Sequence, residues 1–154
     1  MRTKIIAEIG INHNGDLSVA KKLIDMAILA GCDSVKFQKR NPDLCVPEHQ
    51  KNQPKSTPWG DMTYLEYKYR IEFDREQYKE IFNYCESKNI ECFASVWDED
   101  SVDFMHEFSD TAKIPSALIT NLKLCEYARW KNKELLISTG MSTEKEIERC
   151  VEVC

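Results

Sequence analysis

In Ser34-Val35-Lys36-Phe37-Gln38-Lys39, two polar side chains, Lys36 and Gln38, sit two residues apart inside a strand-like run. Alternate residues of a strand share a face, so both point to the same side of the sheet that holds them. Two further strand-like runs carry a charge in the same manner: Lys4 to Gly10 contains Glu8, and Thr111 to Ser116 contains Lys113. In an open sheet with helices on both faces, each charge would meet an apolar layer, at several kcal/mol unless paired. In a (β/α)8 barrel of the TIM type, the upper lumen is wet and lined by ligand-binding groups, so inward charges find partners there. Both architectures are α/β, and the strands favour the barrel over the doubly wound sheet.

Working outward, strands and helices alternate along the whole chain. Leu17 to Ala30 reads as an amphipathic helix with Val19, Leu23, Met26, Ala27 and Ala30 on its apolar stripe, Asp16 or Ser18 as its cap and Gly31 as its stop. Residues 40–70, with prolines at 42, 47, 54 and 58, read as a long loop closing in a short helix over Met62 to Arg70. Tyr64, Tyr67 and Tyr69 read as packing for that loop. Phe73 to Lys88 is expected to be a helix, capped by Asp74 with Ile81, Phe82 and Cys85 inward. Strands are expected near Glu91 to Val96 and Glu134 to Ser138, besides Thr111 to Ser116. Helices fill Glu99 to Phe108, Asn121 to Asn132 and Thr143 to Cys154, the last opened by a Thr143/Glu146 capping box. The pattern is βα repeated five times, joined by right-handed crossovers.

The 154 residues carry a net charge of -5, with 21 basic against 26 acidic side chains. That balance excludes the clustered basic footprint of a nucleic-acid binder and a polybasic membrane patch. No apolar run approaches the roughly 20 residues that span a bilayer, and the chain reads as cytoplasmic. Seven cysteines without a CxxC pair fit neither a disulfide framework nor a zinc site, and read as small hydrophobes. Three histidines, none sharing a helical face with another ligand candidate, give no metal site from this chain. A complete barrel needs about 250 residues. Residues 1–154 are therefore expected to be an incomplete, amino-terminal portion of one, or a half barrel whose open edges pair with something else.

Active groups of α/β enzymes gather at the carboxyl ends of the strands. Here that rule collects Glu8 with Asn12 and His13, Lys36 with Gln38, Ser95, Lys113 with Ser116, and Ser138-Thr139-Gly140. Lysines supply compact positive charge to phosphate or carboxylate, and hydroxyls add directional bonds. A carboxylate beside them positions water or relays a proton. The set suits a small anionic, phosphate-bearing substrate. Blander readings stand beside it: Glu8 as a buried partner of Lys36 or Lys113, His13 as a turn residue before Asn14-Gly15, and Ser138-Thr139-Gly140 as a helix-start turn.

Five ordered segments then resemble one family. Ile6-Ala7-Glu8-Ile9-Gly10-Ile11-Asn12-His13-Asn14-Gly15, Val35-Lys36-Phe37-Gln38, Thr63-Tyr64-Leu65-Glu66-Tyr67-Lys68, Lys113-Ile114-Pro115-Ser116 with Ile119-Thr120-Asn121, and Ile137-Ser138-Thr139-Gly140-Met141 are similar to the sialic acid synthases. The resemblance implies a (β/α)8 barrel followed by an antifreeze-like domain, and a homodimer in the full-length protein. It implies condensation of phosphoenolpyruvate with N-acetylmannosamine or its 6-phosphate, giving N-acetylneuraminate or its 9-phosphate plus phosphate. It also implies a divalent metal, Mn²⁺ or Mg²⁺, whose ligands are not in this chain. Under it, Lys36, Ser95, Lys113 and Ser116 hold phosphoenolpyruvate, Gln38 contacts the substrates, and Glu8 orients aldehyde or water. Glu8 and Gln38 are then the catalytic candidates. The chain departs from the family at Leu118, where members carry a carboxylate, and at Ala94-Ser95-Val96, where Ser-Thr-Pro is common. The late-strand metal histidines, the sugar-binding aspartate and the antifreeze-like domain are not among these residues. Alone, the chain is expected to be inactive or very slow. The competing reading is a non-catalytic half barrel that binds a phosphorylated ligand or a partner chain.

Overall fold

A computed structural model describes residues 2–154. Five parallel strands form the main sheet: β1 (Ile6–Gly10), β2 (Ser34–Lys39), β5 (Glu91–Val96), β6 (Thr111–Ile114) and β7 (Glu134–Ile137), adjacent in that order. Spatial order follows chain order without the reversal that marks a doubly wound sheet. The helices α1 (Leu17–Leu29), α5 (Arg75–Ser87), α6 (Glu99–His106) and α7 (Leu122–Lys131) make the crossovers, and α8 (Glu144–Val153) follows β7.

The sheet curls. Lys4, two residues before β1, places its Nζ 2.6 Å from Glu91 Oε2 on β5 and 3.9 Å from Glu134 Oε2 on β7. Strands spaced about 4.8 Å apart would put β1 and β7 about 19 Å from each other in a flat sheet. One lysine and one glutamate do not bridge that gap, so the strands wrap around a common axis. This is the partial barrel expected from the strand charges.

Register assigns the faces. Glu8 pairs with Lys36, Lys36 with Phe93, Gln38 with Ser95, Ser95 with Lys113, and Lys113 with Leu136. These residues and their i±2 neighbours line the concave side. It is layered: Lys4, Glu91, Thr111 and Glu134 at the floor, Phe93 and Leu136 above them, and Glu8, Lys36, Gln38, Ser95 and Lys113 at the mouth. The alternate residues Val35, Phe37, Cys92, Ala94, Val96, Ala112 and Ile114 pack outward against the helices and are buried.

Several local expectations are corrected. The apolar stripe of α1 is Ala20, Ile24 and Ala27, spaced i, i+4, i+7, while Met26 is 65% exposed and Ala30 lies outside the helix. Residues 40–70 are not a structureless loop. They fold into α2 (Pro42–Cys45), α3 (Glu48–Lys51), an antiparallel hairpin of β3 (Pro54–Thr57) and β4 (Gly60–Thr63), and α4 (Tyr64–Ile71). The prolines sit where their fixed φ is tolerated, Pro42 opening α2 and Pro54 opening an edge strand. Strand β6 ends at Ile114 because Pro115 intervenes, and Ser116 falls in a 3-10 turn, Ser116–Leu118. Asp16, Asp74 and Thr143 cap their helices as expected, the last two in reciprocal capping boxes.

Candidate active site

The mouth is assembled from the ends of β1, β2, β5 and β6. Lys36 is only 4% exposed, and its Nζ lies 2.6 Å from Ser95 Oγ, 2.8 Å from Glu8 Oε2 and 3.2 Å from the Phe37 carbonyl. Glu8 keeps 60% of its side chain exposed, so the pair is buried at its cationic end and open at its anionic end. Gly10 makes that geometry possible. Its φ of +55 and the register slip between Glu8 and Gly10 turn the chain out of β1, and a Cβ there would lie 3.1 Å from Glu8 Oε1.

Burial pulls the Lys36 amine below the ordinary lysine range. The Glu8 hydrogen bond pulls it back, and the charge of Lys113 depresses it further. Lys36 and Lys113 thus feel each other across Ser95, which is the strand partner of both Gln38 and Lys113. Two cations against one carboxylate leave the mouth net positive. Gln38 and Lys113 are half-buried there. Ser116 reaches the same end from the turn after β6, with its Oγ 3.5 Å from where a side chain on Gly140 would begin. The Ser138 amide bonds the Ile114 carbonyl at 3.1 Å, drawing Ser138-Thr139-Gly140 against that turn.

His13 is not at the mouth. It is 1% exposed, stacked on Phe73 at 4.0 Å, and its Nδ1 accepts the Gly15 amide at 3.0 Å. Burial pushes its pKa down to about 4, so the ring stays neutral and structural. Leu118, at the departure from the family pattern, packs against the hydrophobic core. Among the described residues no group of three or more His, Cys, Asp or Glu side chains is arranged to hold a metal ion, and no helix is long and apolar enough to cross a membrane. The described residues alone offer no ligand set for the metal that the resemblance implies.

Three features escaped the sequence. Arg40 and Glu72 form a buried ion pair joining the two ends of the 40–72 excursion. Asp98 accepts from the Asn41 and Ser101 amides, each at 2.7 Å, pinning the start of that excursion to α6. Lys55, Lys68 and Arg70 lie over the Tyr64, Tyr67 and Trp59 rings. The first two join residues far apart in the chain. The third left a signal in the basic–aromatic alternation of Tyr67-Lys68-Tyr69-Arg70.

A curled sheet of βα units with a cationic, hydroxyl-lined mouth defines a partial barrel of the (β/α)8 class. The NeuB family model matches residues 23–154, and the chain belongs to that family. It is 38% identical to the N,N'-diacetyllegionaminic acid synthase of Campylobacter jejuni over 99% of this chain and 46% of that protein. It is 36% identical to the human N-acetylneuraminate-9-phosphate synthase over 97% of this chain and 42% of that protein. The chain thus spans about half the length of these relatives. Among solved structures, the N-acetylneuraminic acid synthetase of Leptospira borgpetersenii in complex with citrate superposes with a TM-score of 0.86 at 28% identity, over 99% of this chain and 50% of that one. A truncated 3-deoxy-D-arabino-heptulosonate 7-phosphate synthase from Thermotoga maritima shares the fold, with a TM-score of 0.65 at 14% identity.

Proposed function

We propose that this chain is the phosphoenolpyruvate-binding, amino-terminal part of a nonulosonic acid synthase, which joins phosphoenolpyruvate to an N-acylated mannosamine-type sugar and releases phosphate. The observation that carries the reading is the convergence of Lys36, Ser95 and Glu8 beside Lys113. The two ammonium groups and the Ser95 and Ser116 hydroxyls hold the phosphate and carboxylate of phosphoenolpyruvate by charge-assisted bonds. Gln38, one step higher on β2, meets the acceptor sugar. Glu8, beside Lys36 and open to solvent, orients the acceptor aldehyde or the water that adds at C2. In the reaction, C3 of phosphoenolpyruvate bonds to the aldehyde carbon, water adds at C2, and phosphate departs with cleavage of its C–O bond. The citrate bound by the Leptospira relative is a carboxylate-rich anion, in keeping with such a pocket. A divalent metal in a longer protein would be held by residues outside 1–154 and would supply Lewis-acid chemistry toward the aldehyde. A homodimer of that protein and the 1–154 boundary belong to the same proposal.

Calorimetric titration of phosphoenolpyruvate into the 154-residue chain tests the reading, alongside mass spectrometry of mixtures with N-acetylmannosamine and Mn²⁺. Binding that Lys113→Ala weakens is expected, with little or no turnover by the chain alone. No binding of phosphoenolpyruvate would overturn it.

A further inference from the structure

We propose that Cys154, Cys150 and Cys125 form an oxidation site, in which hydrogen peroxide reacts at Cys154 and the oxidation ends as a Cys125–Cys150 crosslink between α7 and α8. The three thiols are free and run inward from the surface. Cys154 is half-buried at the end of α8, Cys150 one turn earlier is 1% exposed, and Cys125 on α7 is closed to solvent. Cys150 shares hydrogen bonds with both Cys154 and Cys125. Cys125 Sγ in turn donates to the Leu118 and Ile119 carbonyls, at 3.8 and 3.7 Å, beside the turn that carries Ser116. Packing as small hydrophobes accounts for the burial of Cys125 and Cys150. It does not account for three thiols in series from surface to interior. Cys85 and Cys92 also share a hydrogen bond, but both are buried and neither meets solvent as Cys154 does.

The Cys154 thiolate attacks the O–O bond of the peroxide: an S–O bond forms, hydroxide leaves, and Cys154 becomes a sulfenic acid. The Cys150 thiolate attacks that sulfur and expels a second hydroxide, giving a Cys150–Cys154 disulfide. Positions i and i+4 of a helix hold their Cβ atoms about 5–6 Å apart, whereas a disulfide prefers roughly 3.8 Å, so this first bridge is strained and readily exchanged. The Cys125 thiolate then attacks Cys150 Sγ, and Cys154 leaves as a thiolate and takes up a proton. In sum two thiols give up two electrons and two protons, and hydrogen peroxide becomes two waters. Burial holds the Cys150 and Cys154 thiols up at about 11; at Cys154 the neighbouring Cys150 and Glu126 add to the rise and Arg129 opposes it. Thiolate is scarce near neutral pH for that reason, and the first step accelerates about tenfold for each pH unit gained below 11.

The test is exposure of the 154-residue chain to hydrogen peroxide at pH 7, 8 and 9, followed by alkylation of the remaining thiols, trypsin digestion and tandem mass spectrometry. Cleavage after Lys123, Arg129 and Arg149 releases residues 124–129 and 150–154. The expected product joins these two peptides through Cys125 and Cys150, carries the alkyl group on Cys154, and is undone by dithiothreitol. Its rate should rise about tenfold per pH unit. Cys154→Ser, checked for folding by circular dichroism, should form the crosslink at least about tenfold more slowly, since its oxidant must then reach a buried sulfur. Amide exchange across α8 should slow in the oxidised chain and recover on reduction, because α8 can no longer part from α7. Should Cys154→Ser lose its fold, Cys154→Ala replaces it with the same expectation. Sulfinic or sulfonic acid at Cys154 without any crosslink, a product that stays at Cys150–Cys154, or a crosslink that forms as fast without Cys154 would each overturn the proposal.

Discussion

Lys36 donates to Ser95 Oγ at 2.6 Å from a position that is almost wholly closed to solvent. Burying an ammonium costs several kcal/mol, which one exposed carboxylate, one hydroxyl and one backbone carbonyl offset only in part. Stability alone does not call for a lysine there. Lys36→Met is therefore expected to be neutral or stabilising, by about 1 kcal/mol or more. Phosphoenolpyruvate affinity should fall by roughly 1.5–3 kcal/mol. Urea midpoints and calorimetric titration read the two effects separately. A variant that loses stability and keeps its affinity would show Lys36 to be a packing residue.

Lys113 is half-buried and adjacent to Ser95 in register, so its truncation leaves little uncompensated. Lys113→Ala should weaken phosphoenolpyruvate binding by roughly 1.5–3 kcal/mol with the fold intact. Unchanged affinity by titration would remove Lys113 from the pocket.

Gly15 anchors the excursion. Its φ is +75, and a Cβ would lie 2.2 Å from the Arg70 backbone oxygen, which cannot swing away as a side chain does. Gly15→Ala combines left-handed strain of about 1 kcal/mol with overpacking of about 1–3 kcal/mol. Thermal unfolding should show a loss of about 2–4 kcal/mol. Hydrogen exchange should rise across α4 and the hairpin before it rises in β2.

The barrel was legible in three strand charges, because an inward lysine makes sense only where the lumen is wet. Parity separates Lys36 from Lys39 on one strand: Lys39 turns outward, bonds the Phe73 carbonyl at 2.8 Å and lies over Phe104. His13 was not legible in this way. Its neighbours Asn14 and Gly15 signal a turn, and only the approach of Phe73, sixty residues on, decides that the ring stacks inward. The 40–70 segment misled for a related reason. Four prolines and many polar residues describe a loop, yet the Arg40–Glu72 pair and the Thr63/Glu66 capping box organise short elements too small to show periodicity. Val19, Leu23 and Met26 keep the same i, i+4, i+7 spacing as Ala20, Ile24 and Ala27, so spacing alone does not choose between two stripes one residue apart on α1. The small residues Ala20 and Ala27 mark the face where the helix meets the sheet.

The buried His13 sets a pH dependence. In the unfolded chain it titrates near 6.5, and in the fold only at about 4, because burial disfavours the charged ring. As pH falls through this window, the unfolded chain takes up a proton that the folded chain refuses. The His13 contribution is thus full above pH 6.5 and lost progressively toward pH 4, amounting to about 3 kcal/mol. Urea midpoints of the wild type and His13→Gln at pH 7 and pH 5 check this. The variant should start less stable, having lost the ring stacked on Phe73, and should lose less on acidification. Parallel losses in both proteins would assign the acid sensitivity to the carboxylates.

Glu8 separates binding from chemistry. Its carboxylate pairs with Lys36, so Glu8→Gln makes the mouth more positive and removes a repulsion against the bound phosphate. With Glu8 largely exposed the effect is modest, about 0.5–1 kcal/mol, or roughly two- to fivefold tighter binding of phosphoenolpyruvate near neutral pH. The same substitution removes the hydrogen bond that holds the Lys36 amine up against burial. Lys36 in the variant therefore loses its proton at lower pH than in the wild type, and the gain in affinity fades, then reverses, as pH rises. Titrations of phosphoenolpyruvate across that range should cross, the variant binding more tightly at the acid end and more weakly at the alkaline end. Curves that stay parallel would mean that Glu8 does not control the charge of Lys36. In the full-length enzyme the variant should bind phosphoenolpyruvate well and condense it poorly, because the group that orients the aldehyde or water is gone.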